Sequence, residues 1–275
     1  MKIFCCQMDI AWENKATNFA KAQTLIAEAK VPAGSLVVLP EMFATGFSMD
    51  VAAIAESASA NPAPGSRNGK EFNASETADF LAGTARKFNI YVVGGLVTAA
   101  SGARGRNQAA VFSPEGKEIA RYSKCQPFTL GGESQHYEAG KEIVTFKWHD
   151  CVVAPFICYD LRFPELFRAA VRRGAELFVV IASWPVKRIH HWSVLLQARA
   201  IENLACVAGV NRTGTDPKFT YTGRSVIVNA HGDVLAEAGD AEGAISAEVD
   251  LADLRSWRAE FPALQDMRAG ASQII

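Results

Sequence analysis

The stretch that decides the fold is VVAPFICYDLRFPELFRAAV, residues Val152–Val171. Its first six residues, Val152–Ile157, form an apolar run whose length is typical of a buried β-strand and too short for most helices. Pro164 suits the first turn of a helix, which we expect over Glu165–Arg173. The thiol of Cys158 therefore lies where a buried strand turns sharply into a helix. Such a turn is typical of a nucleophile elbow, which presents one side chain and directs backbone N–H groups at a developing oxyanion.

One order of elements occurs twice along the chain. The first half is predicted to contain strand Lys2–Met8, helix Thr17–Lys30, strand Ser35–Leu39, a helix that begins at Asn73, strand Ile90–Val97 and a hairpin of Asn107–Ser113 with Lys117–Tyr122. After Val152–Ile157 and its helix, the second half is predicted to contain strand Leu177–Ala182, helix Ile189–Asn203, strand Ala205–Val210 and a hairpin of Gly223–Asn229 with Asp233–Ala238. The order β-α-β-α-β-β-β, read twice, predicts an α/β protein built as a four-layer α-β-β-α sandwich of two pseudo-repeated halves. No linker separates the halves, so residues 1–275 are predicted to form one domain.

Three local patterns in the first half add detail. Asn73 and Glu76 have the spacing of a capping box at the start of a helix. The segment Ser48–Lys70, rich in Ala, Ser, Pro, Gly and Asn, is predicted to be irregular. The pair Gly94-Gly95 inside a strand indicates that another piece of backbone approaches closely there.

Composition excludes several classes of partner. Of the 275 residues, 49% are hydrophobic and 21% are charged, which is ordinary for a globular protein with a large core. The net charge of −1 gives no indication of a nucleic-acid or anionic-membrane partner. The longest apolar runs fall short of the roughly 18 residues that a membrane-spanning helix needs. The short apolar stretch after Met1 meets Asp9 and is predicted to be the first strand rather than a secretory signal.

The chain has six cysteines, and the even number would permit disulfides. A chain of this length has its own core and does not need them, so reduced thiols and a cytoplasmic protein are predicted. Zinc is not expected, because Cys-x-x-Cys is absent and His190 and His191 are adjacent and would point in different directions on a helix.

A thiol of ordinary pKa, about 8.5, needs a base or a positive charge to attack as a thiolate. Two other predicted strands end in ionisable residues, and active-site groups tend to follow strand ends. Glu41 directly follows the strand SLVVLP, where apolar neighbours would desolvate its carboxylate as in a general base. Lys124 follows EIARYS and could stabilise a thiolate and an oxyanion, and Glu133 nine residues later could hold that charge in place.

Each of these residues also has a plain structural interpretation. Glu41 and Glu133 could be surface carboxylates of loops, and Lys124 could be an ordinary lysine at the end of a strand. Cys158 could be a buried structural thiol, which is common for cysteine.

Taken together, the residues resemble the Glu–Lys–Cys signature of the nitrilase superfamily of carbon–nitrogen hydrolases. The matching segments extend from Lys2 to Asp266 and include Leu39-Pro40-Glu41, Lys124, Cys158-Tyr-Asp-Leu-Arg-Phe-Pro-Glu165, Ser183-Trp184-Pro185, His191-Trp192, Ala198-Arg-Ala-Ile-Glu-Asn203, Asn211-Arg-Thr-Gly214 and Gly223-Arg-Ser225. Pro40–Ser48 and the tail Phe261–Asp266 are most similar to the omega-amidase branch, which hydrolyses the terminal amide of small dicarboxylate monoamides such as α-ketoglutaramate.

The resemblance implies a role for each matching residue. Cys158 would be the nucleophile, Glu41 the general base and Lys124 the charge-stabilising acid. Glu133 matches the second glutamate of the family, and the backbone N–H of Tyr159 would complete the oxyanion hole with Lys124. The resemblance also implies that no metal or organic cofactor is required and that the protein is a homodimer.

The substrate pocket is predicted from residues on the matching loops. Its apolar walls are predicted to be Phe43, Phe47, Phe128 and Trp184, and the candidates to bind a distal carboxylate are Arg188, His191 and Arg224. Arg162 is a fourth candidate on these loops, and an ion pair that supports the turn is the favoured role for it. One departure from the family affects the wall: relatives usually have Lys-x-His-Leu-Phe, and this chain has Lys124-Cys-Gln-Pro-Phe128.

Several functions remain open at this point. The predicted function is a cysteine-dependent amidase of the omega-amidase type that acts on a small amide. A nitrilase, an N-carbamoyl amino acid amidohydrolase and an aliphatic amidase would share the fold and the three central residues. A non-catalytic scaffold is disfavoured, because Glu41, Lys124 and Cys158 are all present.

Overall fold

Two six-stranded sheets form the centre of the protein in the computed structural model, which describes residues 1–57 and 75–267. The strands of the described residues are β1 Lys2–Gln7, β2 Leu36–Val38, β3 Tyr91–Ala99, β4 Gly105–Phe112, β5 Glu118–Ser123, β6 Phe146–Trp148, β7 Cys151–Ile157, β8 Leu177–Ala182, β9 Cys206–Asn211, β10 Thr213–Thr215, β11 Thr220–Thr222, β12 Val226–Val228, β13 Val234–Glu237 and β14 Gly243–Glu248. The α-helices there are α1 Lys15–Glu28, α2 Val51–Ile54, α3 Glu76–Phe88, α4 Glu133–His136, α5 Pro164–Arg172, α6 Ile189–Asn203 and α7 Leu251–Glu260.

The two sheets repeat one topology. The first has the strand order β14-β1-β2-β3-β4-β5 and the second the order β6-β7-β8-β9-β12-β13. In each sheet three neighbouring strands are parallel, and the hairpin that follows them adds two antiparallel strands. Each sheet also gains an antiparallel strand on its other edge, β14 beside β1 and β6 beside β7. The predicted pseudo-repeat is therefore confirmed, with one additional edge strand in each half.

The alternation of side chains along β1 shows how the layers are arranged. Ile3 and Cys5 belong to the apolar core that both sheets share, whereas Phe4 and Cys6 pack with the apolar faces of α1 and α3. Successive side chains of a strand point to opposite faces, so one face of this sheet meets the second sheet and the other meets helices. Helices α5 and α6 cover the second sheet through Phe167, Trp192 and Leu196, which completes the predicted sandwich.

Several elements were not predicted from the sequence, among them the short helices α2 and α4. The edge strands β6 and β14, the small hairpin β10–β11 and helix α7 lie in segments with little apolar periodicity. Strand β14 reads GAISAE and is defined by its pairing with β1, and α7 begins where Asp250 accepts hydrogen bonds from the backbone N–H groups of Ala252 and Asp253.

The described part of the segment predicted to be irregular, residues 48–57, contains a short helix. Helix α2 interrupts it, and residues 58–74, including Asn73, lie outside the described residues. Helix α3 begins at Glu76 with Ser75 as its N-cap. All six cysteines are free thiols. Within the residues that the structure describes, no helix is both long and apolar enough to span a membrane.

Candidate active site

Cys158 lies at a strained turn between β7 and α5. The strand ends at Ile157, a short 3-10 helix covers Cys158–Arg162, and Pro164 is the first residue of α5. The backbone of Cys158 is left-handed, with φ of 48°. Such a conformation costs a residue with a side chain on the order of 1–3 kcal/mol and persists only where the surroundings enforce it. The thiol is buried, with 8% of the residue exposed.

The carboxyl group of Asp160 holds the backbone turn at Cys158 in place. Its Oδ2 accepts a hydrogen bond from the backbone N–H of Ile157 at 3.0 Å and from the hydroxyl of Tyr122 at 2.8 Å. Its Oδ1 accepts from the backbone N–H of Gln126 at 2.8 Å. The carboxyl therefore joins the elbow that carries Cys158 to the segment that follows β5. Burial raises the pKa of Asp160 to about 7.

Lys124 lies between two buried carboxylates. Its Nζ is 2.9 Å from Oε1 of Glu41 and 2.8 Å from Oε2 of Glu133, and all three side chains are at most 2% exposed. Burial alone would lower the pKa of Lys124, but the negative charges of Glu133 and Glu41 outweigh it and hold the pKa well above its usual value. Lys124 is therefore a fixed positive charge. It also lies 5.4 Å from the ring centroid of Phe47.

Two residues that the sequence did not reveal hold these carboxylates. Asn107 donates from Nδ2 to Oε1 of Glu41 at 2.7 Å and to Oε1 of Glu133 at 2.8 Å. Its backbone carbonyl accepts the N–H of Lys124 at 2.9 Å. The backbone N–H of Ser183 donates to the other oxygen of Glu41, Oε2, at 2.8 Å. The available signal for Asn107 was weak, because it lies between the polar residues Arg106 and Gln108 before the apolar part of β4 begins.

A close backbone approach fixes the position of Glu41. The N–H of Gly95 donates to the carbonyl of Pro40 at 3.2 Å, and a Cβ at Gly95 would lie 2.3 Å from the backbone nitrogen of Met42. Real side chains do not tolerate such contacts with backbone, so the approach that Gly94-Gly95 predicted is confirmed at Gly95. The chain then turns at Met42, which has φ of 45°.

The thiol of Cys158 is electrostatically coupled to these charges. Burial raises its pKa well above the usual value, the Glu41 carboxylate raises it further, and Lys124 opposes both. Sγ lies 3.9 Å from the carbonyl oxygen of Ser183, the residue whose N–H binds Glu41. The resting thiol is therefore protonated near neutral pH, and a carboxylate that can take its proton is a neighbour.

An open cavity gives access to Cys158. Four residues that the sequence predicted to form the pocket line it: Phe47, Phe128, Trp184 and Arg188. The prediction for Phe43 is corrected, because its ring packs in the core against Phe19 and Phe80, with centroids 6.1 and 5.8 Å away. Gln126 is joined to the site through its backbone N–H, and the wall is formed by Phe128.

The predictions for the cationic residues also need correction. Arg224 does not line the cavity; it forms ion pairs with Asp240 at 3.3 Å and with Glu237 at 4.0 Å. His191 does not line it either, and its Nδ1 accepts a hydrogen bond from Arg162 at 3.1 Å. Arg162, assigned from the sequence to an ion pair, lines the cavity.

Phe219, on the unpredicted hairpin β10–β11, completes one side of the cavity. Tyr159 lines the cavity and is the second residue of the 3-10 helix, where backbone N–H groups have no acceptor within the helix. In the described part of the chain, no group of three or more His, Cys, Asp or Glu side chains could hold a metal ion. The arrangement can therefore activate a thiol, bind an oxyanion and admit a small molecule.

Comparisons with known proteins agree with this geometry. The Carbon-nitrogen hydrolase family matches residues 2–259. A 2-oxoglutaramate amidase of Bacillus subtilis is 34% identical over 97% of both chains, and the omega-amidase YafV of Yersinia enterocolitica is 34% identical over 97% of this chain and 96% of its own. A crystal structure of a CN-hydrolase superfamily protein from Xanthomonas campestris has a TM-score of 0.85 and 30% identity, covering 98% of this chain and 97% of its own. The chain therefore belongs to the carbon–nitrogen hydrolase family of the nitrilase superfamily, whose members hydrolyse carbon–nitrogen bonds other than peptide bonds.

Proposed function

We propose that the protein is a cysteine-dependent omega-amidase that releases ammonia from a small carboxylate-bearing amide through a thioester. The observation that carries this proposal is the position of Lys124 Nζ between Glu41 and Glu133, beside the thiol of Cys158. A buried, permanently charged ammonium next to a nucleophile and a carboxylate suits acyl transfer, which develops negative charge on a carbonyl oxygen.

In the first half of the reaction, Glu41 takes the proton of Cys158 as Sγ forms a bond to the amide carbon. The carbonyl oxygen becomes an oxyanion that Lys124 Nζ and the backbone N–H of Tyr159 stabilise. The intermediate collapses, the carbon–nitrogen bond breaks, and the nitrogen leaves as ammonia after it takes the proton held by Glu41.

In the second half, water replaces ammonia. Glu41 takes a proton from the water as its oxygen attacks the thioester carbon. The carbon–sulfur bond then breaks, the sulfur recovers a proton from Glu41, and the carboxylic acid leaves. The net reaction consumes one water and converts one amide into one acid and one ammonia.

The nature of the substrate is supported by the relatives and by the cavity. The two amidases compared above are named for 2-oxoglutaramate and for omega-amides, and this chain aligns with them over almost its full length. The aromatic walls Phe47, Phe128, Trp184 and Phe219 suit the methylene chain of a small substrate that reaches Cys158. We therefore propose that this chain acts on the same class of substrates, the dicarboxylate monoamides of the α-ketoglutaramate type.

A substrate panel read by ammonia release tests the proposal. The wild-type protein should release ammonia from α-ketoglutaramate faster than from benzonitrile or from N-carbamoyl amino acids. The variant Cys158→Ala should release none while its circular dichroism spectrum is unchanged. Preference for a nitrile or a carbamoyl substrate would favour another enzyme of this fold. Turnover by Cys158→Ala would refute the thioester mechanism.

Thiol alkylation separates an enzyme from a non-catalytic scaffold. Glu41 next to the thiol should make Cys158 react with iodoacetamide near neutral pH faster than the fully buried Cys5 and Cys6, where burial raises the pKa of each thiol. Mass spectrometry of peptides after a short exposure would locate the label. Equal, slow labelling of all three would favour the scaffold.

We also propose that the enzyme is a cytoplasmic homodimer. Six free thiols accord with a reducing compartment. Val194 and Ile201 lie seven residues apart on one face of α6 and are 48% and 54% exposed, which suits contact with a second copy. Sedimentation of Val194→Asp, with Val234→Asp on β13 as a control, tests this contact. A wild-type protein that sediments as a monomer would refute it.

A further inference from the structure

Two guanidinium groups line the cavity without an acidic partner. Neither Arg162 nor Arg188 forms an ion pair with an Asp or Glu of the described residues. Elsewhere in this part of the chain, arginines donate either to a carboxylate, as Arg121 and Arg255 do at 2.6 and 2.7 Å, or to backbone carbonyls, as Arg168 and Arg258 do at 2.8 and 2.7 Å. Within the described residues neither guanidinium of the cavity makes a contact of either kind, so both retain donors for a ligand.

Aromatic rings hold both guanidinium groups in place. Cζ of Arg162 lies 4.8 Å from the ring centroid of Trp184, and Cζ of Arg188 lies 5.2 Å from that of Phe128. The backbone carbonyl of Arg188 accepts a hydrogen bond from Nε1 of Trp184 at 2.8 Å, so the turn that carries Arg188 is tied to the ring under Arg162. His191 accepts from Nη2 of Arg162 and further restricts its orientation. A guanidinium that is already oriented loses little freedom when it binds a carboxylate.

The two arginines are near enough to repel each other. Burial, together with the positive charge of Arg188, lowers the pKa of Arg162, although a guanidinium stays protonated in proteins. None of the residues that line the cavity in the described part of the chain is an Asp or Glu. An anion that entered would relieve the repulsion and gain charge-assisted hydrogen bonds, whereas a cation would find no partner.

We propose that Arg162 and Arg188 together form the binding site for the carboxylate at the far end of the substrate, while the amide lies at Cys158. The site selects monoanionic amides that lack an ammonium group, since an α-ammonium would lie close to two fixed positive charges. This inference rests on the proposed amidase function and specifies how that site chooses among amides.

Three amides of equal chain length test the proposal. Glutaramate carries the distal carboxylate, pentanamide replaces the carboxylate by a methyl group, and glutamine adds an α-ammonium to the carboxylate. In the wild type, kcat/KM should decrease in the order glutaramate, glutamine, pentanamide. Because hydrogen bonds to charged groups are the strong ones, the variant Arg188→Met should lower the ratio of kcat/KM for glutaramate to that for pentanamide by about 100-fold. Most of that change should lie in KM, since the carboxylate is remote from the reacting bond.

A neighbouring lysine provides the matched control. Lys187 is exposed, carries the same charge on the same turn and does not line the cavity. Lys187→Met should leave the ratio of the two substrates as it is in the wild type. Arg188→Lys should recover part of the ratio, because it restores the charge without the bidentate geometry.

The outcomes separate this inference from the proposed function. A wild-type protein that hydrolyses none of the three amides refutes the amidase itself. A protein that hydrolyses glutaramate and pentanamide with a ratio that Arg188→Met and Arg162→Met both leave unchanged remains an amidase, and the arginine site is then wrong. If an arginine variant lost kcat/KM equally on glutaramate and on pentanamide, the arginine site would also be wrong. A group that binds the carboxylate must alter the ratio of kcat/KM for these two substrates.

Discussion

The peptide of Ser183 joins Glu41 to Cys158: its N–H donates to Oε2 of Glu41 at 2.8 Å, and its carbonyl lies 3.9 Å from Sγ of Cys158. One carboxylate oxygen of Glu41 is therefore fixed by the second sheet, while the other is held by Lys124 and Asn107 of the first. Glu41, the proposed general base, is attached to both halves of the protein.

Removal of the Glu41 carboxylate tests its role as the base. Glu41→Gln keeps the shape and an acceptor oxygen but cannot take the thiol proton, so kcat/KM should fall by about 100- to 10,000-fold. Alkylation of Cys158 should slow in parallel. The exposed Glu142, changed to Gln, controls for the loss of one negative charge. If Cys158 were alkylated in Glu41→Gln as fast as in the wild type, the assignment of Glu41 as the base would be contradicted.

Asn107 can be tested by adding a charge where it now supplies two hydrogen bonds. Asn107→Asp would put a third carboxylate against Glu41 and Glu133, and an uncompensated buried charge costs about 3–5 kcal/mol. Asn107→Ser, which adds no charge, should lose less. Urea denaturation of both variants at pH 7 measures the difference, and equal stability would show that the site tolerates a third negative charge.

The raised pKa of Asp160 predicts how stability depends on pH. The folded protein keeps this proton up to about pH 7, whereas an unfolded aspartate loses it near pH 4. Between these values the folded state binds the extra proton, so this group makes the protein less stable as pH rises, by at most about 1.4 kcal/mol per pH unit. The stability difference between the wild type and Asp160→Asn should therefore shrink from pH 4 to pH 7 and level off above. If the denaturation midpoints of the wild type and of Asp160→Asn changed in parallel across this pH range, the raised pKa of Asp160 would be contradicted.

A pair of glycines gives a matched test of the backbone approach at Glu41. Gly95→Ala would place its Cβ 2.3 Å from the nitrogen of Met42 and should destabilise the protein by about 1–3 kcal/mol, with a larger loss of activity than of stability. Gly83 lies within α3, and a Cβ there meets nothing within 4 Å. Gly83→Ala should therefore stabilise by about 0.5–1 kcal/mol. Measurements of thermal unfolding and of ammonia release distinguish the two variants. Full activity of Gly95→Ala would refute the argument that the backbone at Glu41 leaves no room for a Cβ at position 95.

The positions of the three central residues could be predicted because each follows a predicted strand whose end is visible in the sequence. Glu41, Lys124 and Cys158 come directly after β2, β5 and β7 or after the short extensions of these strands. Such ends are defined by local sequence, and the repeated order of elements shows that they meet at one edge of the sandwich.

The supporting residues could not be predicted, because they depend on distances through space. Asn107 meets Lys124 through the junction of β4 and β5. Phe43 was placed in the pocket because it follows Glu41, but the left-handed turn at Met42 sends it into the core. Arg162 lies over Trp184, which is brought there by the parallel pairing of β7 and β8. Phe219 sits on a hairpin of polar sequence that carried no apolar signal.

The base and the lysine follow strands of the first sheet, while the sulfur follows a strand of the second. During synthesis the amino-terminal half is made first and lacks Cys158, and the sulfur of Cys158 meets Glu41 and Lys124 only when the two sheets dock. On the proposed mechanism, catalysis is therefore the last property that the maturing polypeptide acquires. Ammonia release would accordingly report complete assembly, since neither half alone holds all three groups.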